Sequence, residues 1–209
     1  MRAIWYFDFI SPFAYLQWSR VRALSQRVGI EFRPILFAGL LQHHGHKGPA
    51  EIPGKREFTY RFVQWQAQRE GLTLRFPPAH PFNPIAALRL CVAACCTERA
   101  VDAIFAHLWQ HGRAGDSAES LREVGRALGI DPVEAALERA EVKTQLRANF
   151  DAALADGVFG VPTLRVGDEL FWGNDATEMA IEFLADPSLF DGAEYRRIDT
   201  LPVGVERRR

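Results

Sequence analysis

The chain begins with an aromatic and aliphatic run at positions 4–9 that stops at Ser11-Pro12. Such a run has the composition of a buried strand. From position 13 the apolar residues change period. Leu16, Val21, Leu24 and Val28 fall at helical spacing, and Gly29 follows where a helix C-cap belongs. Positions 30–37 alternate like a second strand. Strand, helix and strand in so short a span predict a βαβ unit with its two strands parallel.

Beyond this unit the pattern turns helical. Positions 39–53 hold Gly, His and Pro and predict a loop; 55–70 read as an amphipathic helix closed by Gly71. The prolines of "RFPPAHPFNP" exclude regular structure there, since each removes a donor and fixes φ. Helices are predicted at 86–96, 101–111, 118–128, 132–139 and 142–156, the last ending at Gly157. "SAES" before Leu121 and "DPVE" at Asp131 have the form of helix starts, a cap residue followed three positions later by an acid. "VPTLRV" and "ELFWG", joined by Gly167-Asp168, predict an antiparallel hairpin. A last helix is predicted at 175–184, and 186–209 lacks periodicity and is expected to wrap the surface.

With the helical block lifted out, the remaining order is βαβ–αββα, that of an α/β thioredoxin-like fold. The predicted organisation is a discontinuous thioredoxin-like domain (1–39 and 140–185), an all-helical insertion (40–139) and a C-terminal extension (186–209). The 209 residues, 48% of them hydrophobic, suffice for one core carrying an insertion.

A net charge of −1 argues against a nucleic-acid partner, and the basic end Glu206–Arg209 reads as a solvated tail. Asp8 interrupts the first apolar run too early for a signal peptide, and no stretch reaches the ~20 apolar residues of a membrane span. Cys91, Cys95 and Cys96 are odd in number and clustered, which is not a disulfide framework. A reducing cytoplasm is the expected setting.

Two local motifs carry chemistry. Ser11 precedes a proline suited to a first helical turn, so Ser11 serves as an N-cap and its hydroxyl sits at the positive end of a helix. Val161-Pro162-Thr163 places a proline at the start of a strand, where either a trans or a cis bond fits. Taken with "FWGND" and "RFPPAHPFNPIAALR", the stretches "YFDFISPFAYL" and "GVFGVPT" resemble the DsbA-like thioredoxin superfamily. Within it they are most similar to 2-hydroxychromene-2-carboxylate isomerases and the related kappa-class glutathione transferases. The resemblance runs over positions 1–184.

That resemblance implies a cofactor, glutathione, with its sulfur beside Ser11, its cysteinyl backbone paired with Val161 next to a cis Val161–Pro162 bond, and its γ-glutamyl end at Asn174 and Asp175. Lys55 falls where the family holds the glycyl end. Phe13, His46, Asn83 and Pro84 are expected around the pocket of a small aromatic substrate. The family also implies a homodimer. This chain departs from it in two places: Ala176 stands where many members have arginine, and "HHGHKG" stands near a loop that often carries asparagine.

Disulfide oxidoreductases of this fold carry Cys-x-x-Cys where this chain reads Ser11-Pro12-Phe13-Ala14. Dithiol exchange needs an attacking thiolate and a resolving thiol, and the motif supplies neither. No metal is expected: His43, His44 and His46 lack partners at zinc-ligand spacing and are read as a flexible loop, which would line the site entrance if these residues act. His107 and His111 are read as surface or packing residues, Cys91 and Cys95 as core residues on one helix face, and Phe62 and Trp65 as core of the helical block, with the substrate pocket as their alternative place. The activity implied is glutathione-dependent isomerisation of a 2-hydroxychromene-2-carboxylate-like compound. The alternatives are a kappa-class-like transferase and a non-catalytic thioredoxin-like binding module.

Overall fold

The computed structural model describes residues 2–205; the tail Glu206–Arg209 lies outside the described residues. Four strands form one mixed sheet in the order β2-β1-β3-β4. Strands β1 (Ala3–Phe7) and β2 (Ile30–Pro34) pair in parallel around helix α1 (Pro12–Ser25), as the periodicity predicts. Strands β3 (Thr163–Val166) and β4 (Glu169–Trp172) form the expected hairpin, and β3 pairs antiparallel with β1. Between β2 and β3 the chain is helical: α2 (Phe37–His44), α3 (Lys55–Arg69), α4 (Ile85–Ala93), α5 (Glu98–Phe105), α6 (Arg122–Ala127), α7 (Val133–Glu138) and α8 (Ala140–Ala155). After β4 come α9 (Thr177–Ala185) and α10 (Ala193–Asp199). No described helix is long and apolar enough to cross a membrane.

Strand β1 is buried on both faces, which is why its sequence is a near-continuous apolar run. Trp5 and Phe7 face the larger core, with Trp18 stacked on Trp5 and Phe9 and Phe105 packed around them edge-on or tilted. Ile4 and Tyr6 face a smaller core with Ile35, Leu40 and Val158. Helix α1 therefore rests on an aromatic bed that leaves its first turn at the end of β1.

Several elements differ from the periodicity. The expected strand at 30–37 ends at Pro34, which has no N–H to extend a ladder, and α2 occupies part of the expected loop at 39–53. Gly45 (φ 64°) closes α2, its N–H and that of His46 bonding back to Gln42 and Leu41 carbonyls. The helix expected at 101–111 is α5 followed by a wide π turn, Ala106–Gln110, in which the His111 N–H reaches the Ala106 carbonyl. "SAES" does not open its helix directly. The Ser117 and Ser120 side chains take each other's backbone amides, and α6 starts two residues later. Asp131 pairs with Arg126 instead of capping α7.

Helix α4 ends before the last two cysteines, so Cys95 is exposed beyond the helix and not in the core, while Cys91 is buried. The helix predicted as last is followed by α10. That exposed helix is held to the body through Phe190, which stacks on Phe183 at 5.3 Å and meets Tyr195 at 5.1 Å.

Candidate active site

Ser11 caps α1 as its sequence predicts. Its Oγ accepts the Ala14 N–H at 3.3 Å, and its carbonyl accepts from Ala14 and Tyr15. The hydroxyl keeps its own proton for an outside acceptor. Ser11 and Pro12 are nearly buried, so only a ligand reaching the first turn of α1 meets that proton. The Phe13 N–H, without a partner among the described residues, and the helix dipole make the same spot favourable for negative charge.

The sheet register brings the second motif alongside. Tyr6 pairs with Thr163, so Val161-Pro162 lies beside the end of β1, just before Ser11. The Val161–Pro162 bond is cis, as are His80–Pro81 and Asp131–Pro132. Among the described residues, the Val161 N–H and C=O have no partner in the chain. Gly160 carries no Cβ because one would fall 2.4 Å from Trp172 Nε1, and the Trp172 ring meets Phe159 at 5.3 Å.

The third motif is hydrogen-bonded to the other two. The Gly173 N–H donates to the Pro162 carbonyl at 2.8 Å. Gln17 Nε2 donates to the Gly173 carbonyl (3.0 Å) and to Thr177 Oγ1 (2.9 Å), while Gln17 Oε1 accepts from Trp5 Nε1 (2.6 Å). Arg20 donates to Asn174 Oδ1 at 2.6 Å. Asn174 is buried and engaged with Arg20; Asp175 is exposed, its carboxylate folded over Gly173, which adopts φ 95°. Helix α9 has no side-chain cap; its Thr177 N–H bonds the Asn174 carbonyl at 3.4 Å, and the Glu178 and Met179 amides that follow have no partner among the described residues.

The remaining predicted residues are more dispersed. Phe13 meets Phe62 of α3 at a tilt, ring centroids 6.4 Å apart, forming an aromatic wall beside Ser11. Lys55 opens that helix, exposed and with no ion pair among the described residues. Trp65 does not enter the core as expected: it is half-exposed, stacked on Phe62 with the Arg69 guanidinium 4.9 Å above it. Its helix faces solvent on that side, so the ring is covered by a cation instead of by protein. Asn83 is exposed and accepts the Ile85 N–H, and Pro84 is buried beneath it. His46 is exposed, and its ring stacks with His44. Among the described residues no three His, Cys, Asp or Glu side chains converge as metal ligands do. His107 is buried against the Ala114 carbonyl.

Sequence reasoning missed the residues that hold the Ser11 loop. Asp8, fully buried, accepts the Ile10 N–H on Oδ1 (3.1 Å) and the Phe37 N–H on Oδ2 (2.8 Å). Burial pushes its carboxyl up to about 7, against the lowering effect of those amides. His80 Nε2 meets the Ile10 carbonyl at 2.8 Å, and Trp109 Nε1 donates to the Phe9 carbonyl at 2.9 Å. A polar residue in an apolar strand end, and a histidine among loop prolines, were the available signals.

The family model described as DSBA-like thioredoxin domain matches residues 3–185. A 2-hydroxychromene-2-carboxylate isomerase of Pseudomonas putida is 33% identical over 183 residues, covering 81% of this chain and 87% of that protein. Glutathione S-transferase kappa 2 of Caenorhabditis elegans is 26% identical, covering 87% of this chain and 91% of its own. Among solved structures, a selenomethionine-labelled 2-hydroxychromene-2-carboxylate isomerase superposes with a TM-score of 0.78 at 26% identity, covering 97% of this chain and all of that one.

Proposed function

The chain belongs to the DSBA-like thioredoxin domain family, among the 2-hydroxychromene-2-carboxylate isomerases related to kappa-class glutathione transferases, and from that premise we propose that it is a glutathione-dependent isomerase of a 2-hydroxychromene-2-carboxylate-like aromatic compound. The observation that carries the reading is the hydrogen-bonded union of three motifs: the Ser11 helix start, the open Val161 backbone, and the Gly173–Asp175 turn.

These residues fit a thiol tripeptide. Ser11 donates its free proton to a sulfur held at the first turn of α1, which favours thiolate. Val161 offers one N–H and one C=O for strand-like pairing with a peptide backbone. The open amides of α9 with Asn174 take a carboxylate, Asp175 takes an ammonium, and Lys55 takes the opposite carboxylate. When bound, glutathione supplies a nucleophile that adds to an electron-poor carbon and departs after rotation or ring opening.

Phe13 and Phe62 give the aromatic substrate an apolar wall, with His46, Asn83 and Pro84 on the side of the helical block. Dithiol exchange has no place in this reading, because Ser11 and Ala14 hold the motif's two ends. A cytoplasmic homodimer completes it.

A glutathione titration followed by thiolate absorbance is the test. A bound thiolate at neutral pH supports the reading, and absence of binding leaves a thioredoxin-like binding module. Transfer to an electrophile is the second enzymatic reading, favoured by the kappa-class relative. Product analysis separates the two: an isomerase returns glutathione unchanged, a transferase consumes it.

A further inference from the structure

The loop from Asp8 to Ser11 contains no regular structure, yet its backbone is almost fully accounted for. The Ser11 N–H bonds the Asp8 carbonyl at 3.1 Å. The Phe9 carbonyl is taken by Trp109, the Ile10 N–H by the Asp8 carboxylate, and the Ile10 carbonyl by His80. Ile10, directly before Ser11, thus has its N–H held by Asp8 and its carbonyl held by His80, both titratable.

We propose that Asp8 and His80 are positioning residues for Ser11, clamping Ile10 so that the Ser11 hydroxyl and the Phe13 amide, the one amide of the first turn of α1 without a partner among the described residues, point at the ligand's sulfur. This rests on the glutathione reading above only for the identity of that sulfur.

Each clamp has its own anchor. Asp8 spans two connections: Oδ1 holds the loop that enters α1, and Oδ2 holds the first amide of α2. His80 sits in the proline-rich loop of the helical block. A carbonyl at 2.8 Å from Nε2 requires a proton on Nε2, so Nδ1 accepts from the Tyr60 hydroxyl at 2.6 Å. Tyr60 Oη also lies 2.8 Å from the His80 carbonyl, and its single proton serves one of these two His80 acceptors at a time. The thioredoxin-like part and the helical block thereby each contribute one hand to the same peptide.

Burial favours the neutral form of His80. Burial first, then the Arg56 guanidinium, lower the His80 pKa, opposed by the Ile10 carbonyl, so the ring is neutral at pH 7. Around Asp8 the interacting groups are the amides of Phe37, Ile10 and Phe9, with no charged side chain among them.

The test uses the full chain in wild-type, Asp8→Asn, His80→Leu and His80→Gln forms, each first checked for cooperative unfolding. In a backbone-amide NMR titration, Ile10, Phe37 and Ser11 of the wild type are expected to shift together with a midpoint of about 7. D8N is expected to abolish that shared step. Leucine removes the donor to Ile10, whereas the glutamine amide replaces Nε2–H. H80L is therefore expected to move the Ser11 and Ala14 amides and to lower the thiolate fraction of bound glutathione about tenfold, the effect of one lost hydrogen bond to a developing charge. H80Q is expected to restore both.

A Ser11 amide that ignores Asp8, or an H80L protein matching the wild type in both measurements, overturns the proposal. Failure of the wild type to bind glutathione would instead remove the functional reading, and the amide shifts would still decide the clamp.

Discussion

Gln17 in the second turn of α1 donates to the Gly173 carbonyl across 156 residues of sequence. The same amide nitrogen reaches Thr177, and the amide oxygen takes the Trp5 indole. One buried side chain thus joins β1, the Ser11 helix and the turn before α9. Replacing Gln17 with Leu leaves Trp5 Nε1, Gly173 O and Thr177 Oγ1 without this partner in a dry interior. The expected cost is about 2–4 kcal/mol, read as a lower denaturant midpoint with an unchanged slope. Glutathione affinity is expected to fall as well, because the Gly173 turn loses its tie to α1.

Ser11→Ala keeps the helix and loses the outward hydroxyl. Loss of the cap is expected to destabilise by about 1 kcal/mol. The larger effect is expected on chemistry: the pKa of bound glutathione rises and thiolate at neutral pH drops tenfold or more, measured by absorbance against pH. An unchanged thiolate fraction would remove Ser11 from the proposed mechanism.

Asp8 makes stability depend on pH in an unusual direction for a carboxylate. Its folded-state pKa of about 7 lies above the ordinary 3.8, so the folded protein holds the proton more tightly than the unfolded chain. Stability from this group is full below about pH 4 and is lost as pH rises through 7, by up to a few kcal/mol. Urea melts of wild type and D8N across pH 4 to 8 are expected to show this decline in the wild type and a flatter profile in the variant.

Tyr6 donates to Asp156 Oδ2 at 2.6 Å and accepts from Arg33 at 3.0 Å. Burial first, then the Asp156 hydrogen bond, push its hydroxyl up to about 12. Ultraviolet titration is expected to show one tyrosinate ionising near that value, absent in Tyr6→Phe. The variant is also expected to lose about 1–2 kcal/mol, since Asp156 gives up a buried donor.

Local features were legible because their causes are local. Pro12 behind Ser11 marks a helix start, Gly167-Asp168 marks a hairpin, and the apolar run of β1 marks a strand covered on both faces. The same reasoning misplaced Trp65 and Cys95. Helical spacing cannot say which face of α3 another element covers, nor that α4 stops before Cys95.

What the sequence by itself determined is the set of elements and one chemical boundary: Ser11 and Ala14 at the ends of the motif deny it a thiol pair. What the tertiary structure decided is which residues act together. Asp8 reaches α2, His80 reaches Ile10 over 70 residues, and Gln17 reaches Thr177 over 160. A buried polar group must find a partner wherever the fold brings one, and that partner leaves no mark on the periodicity of either segment.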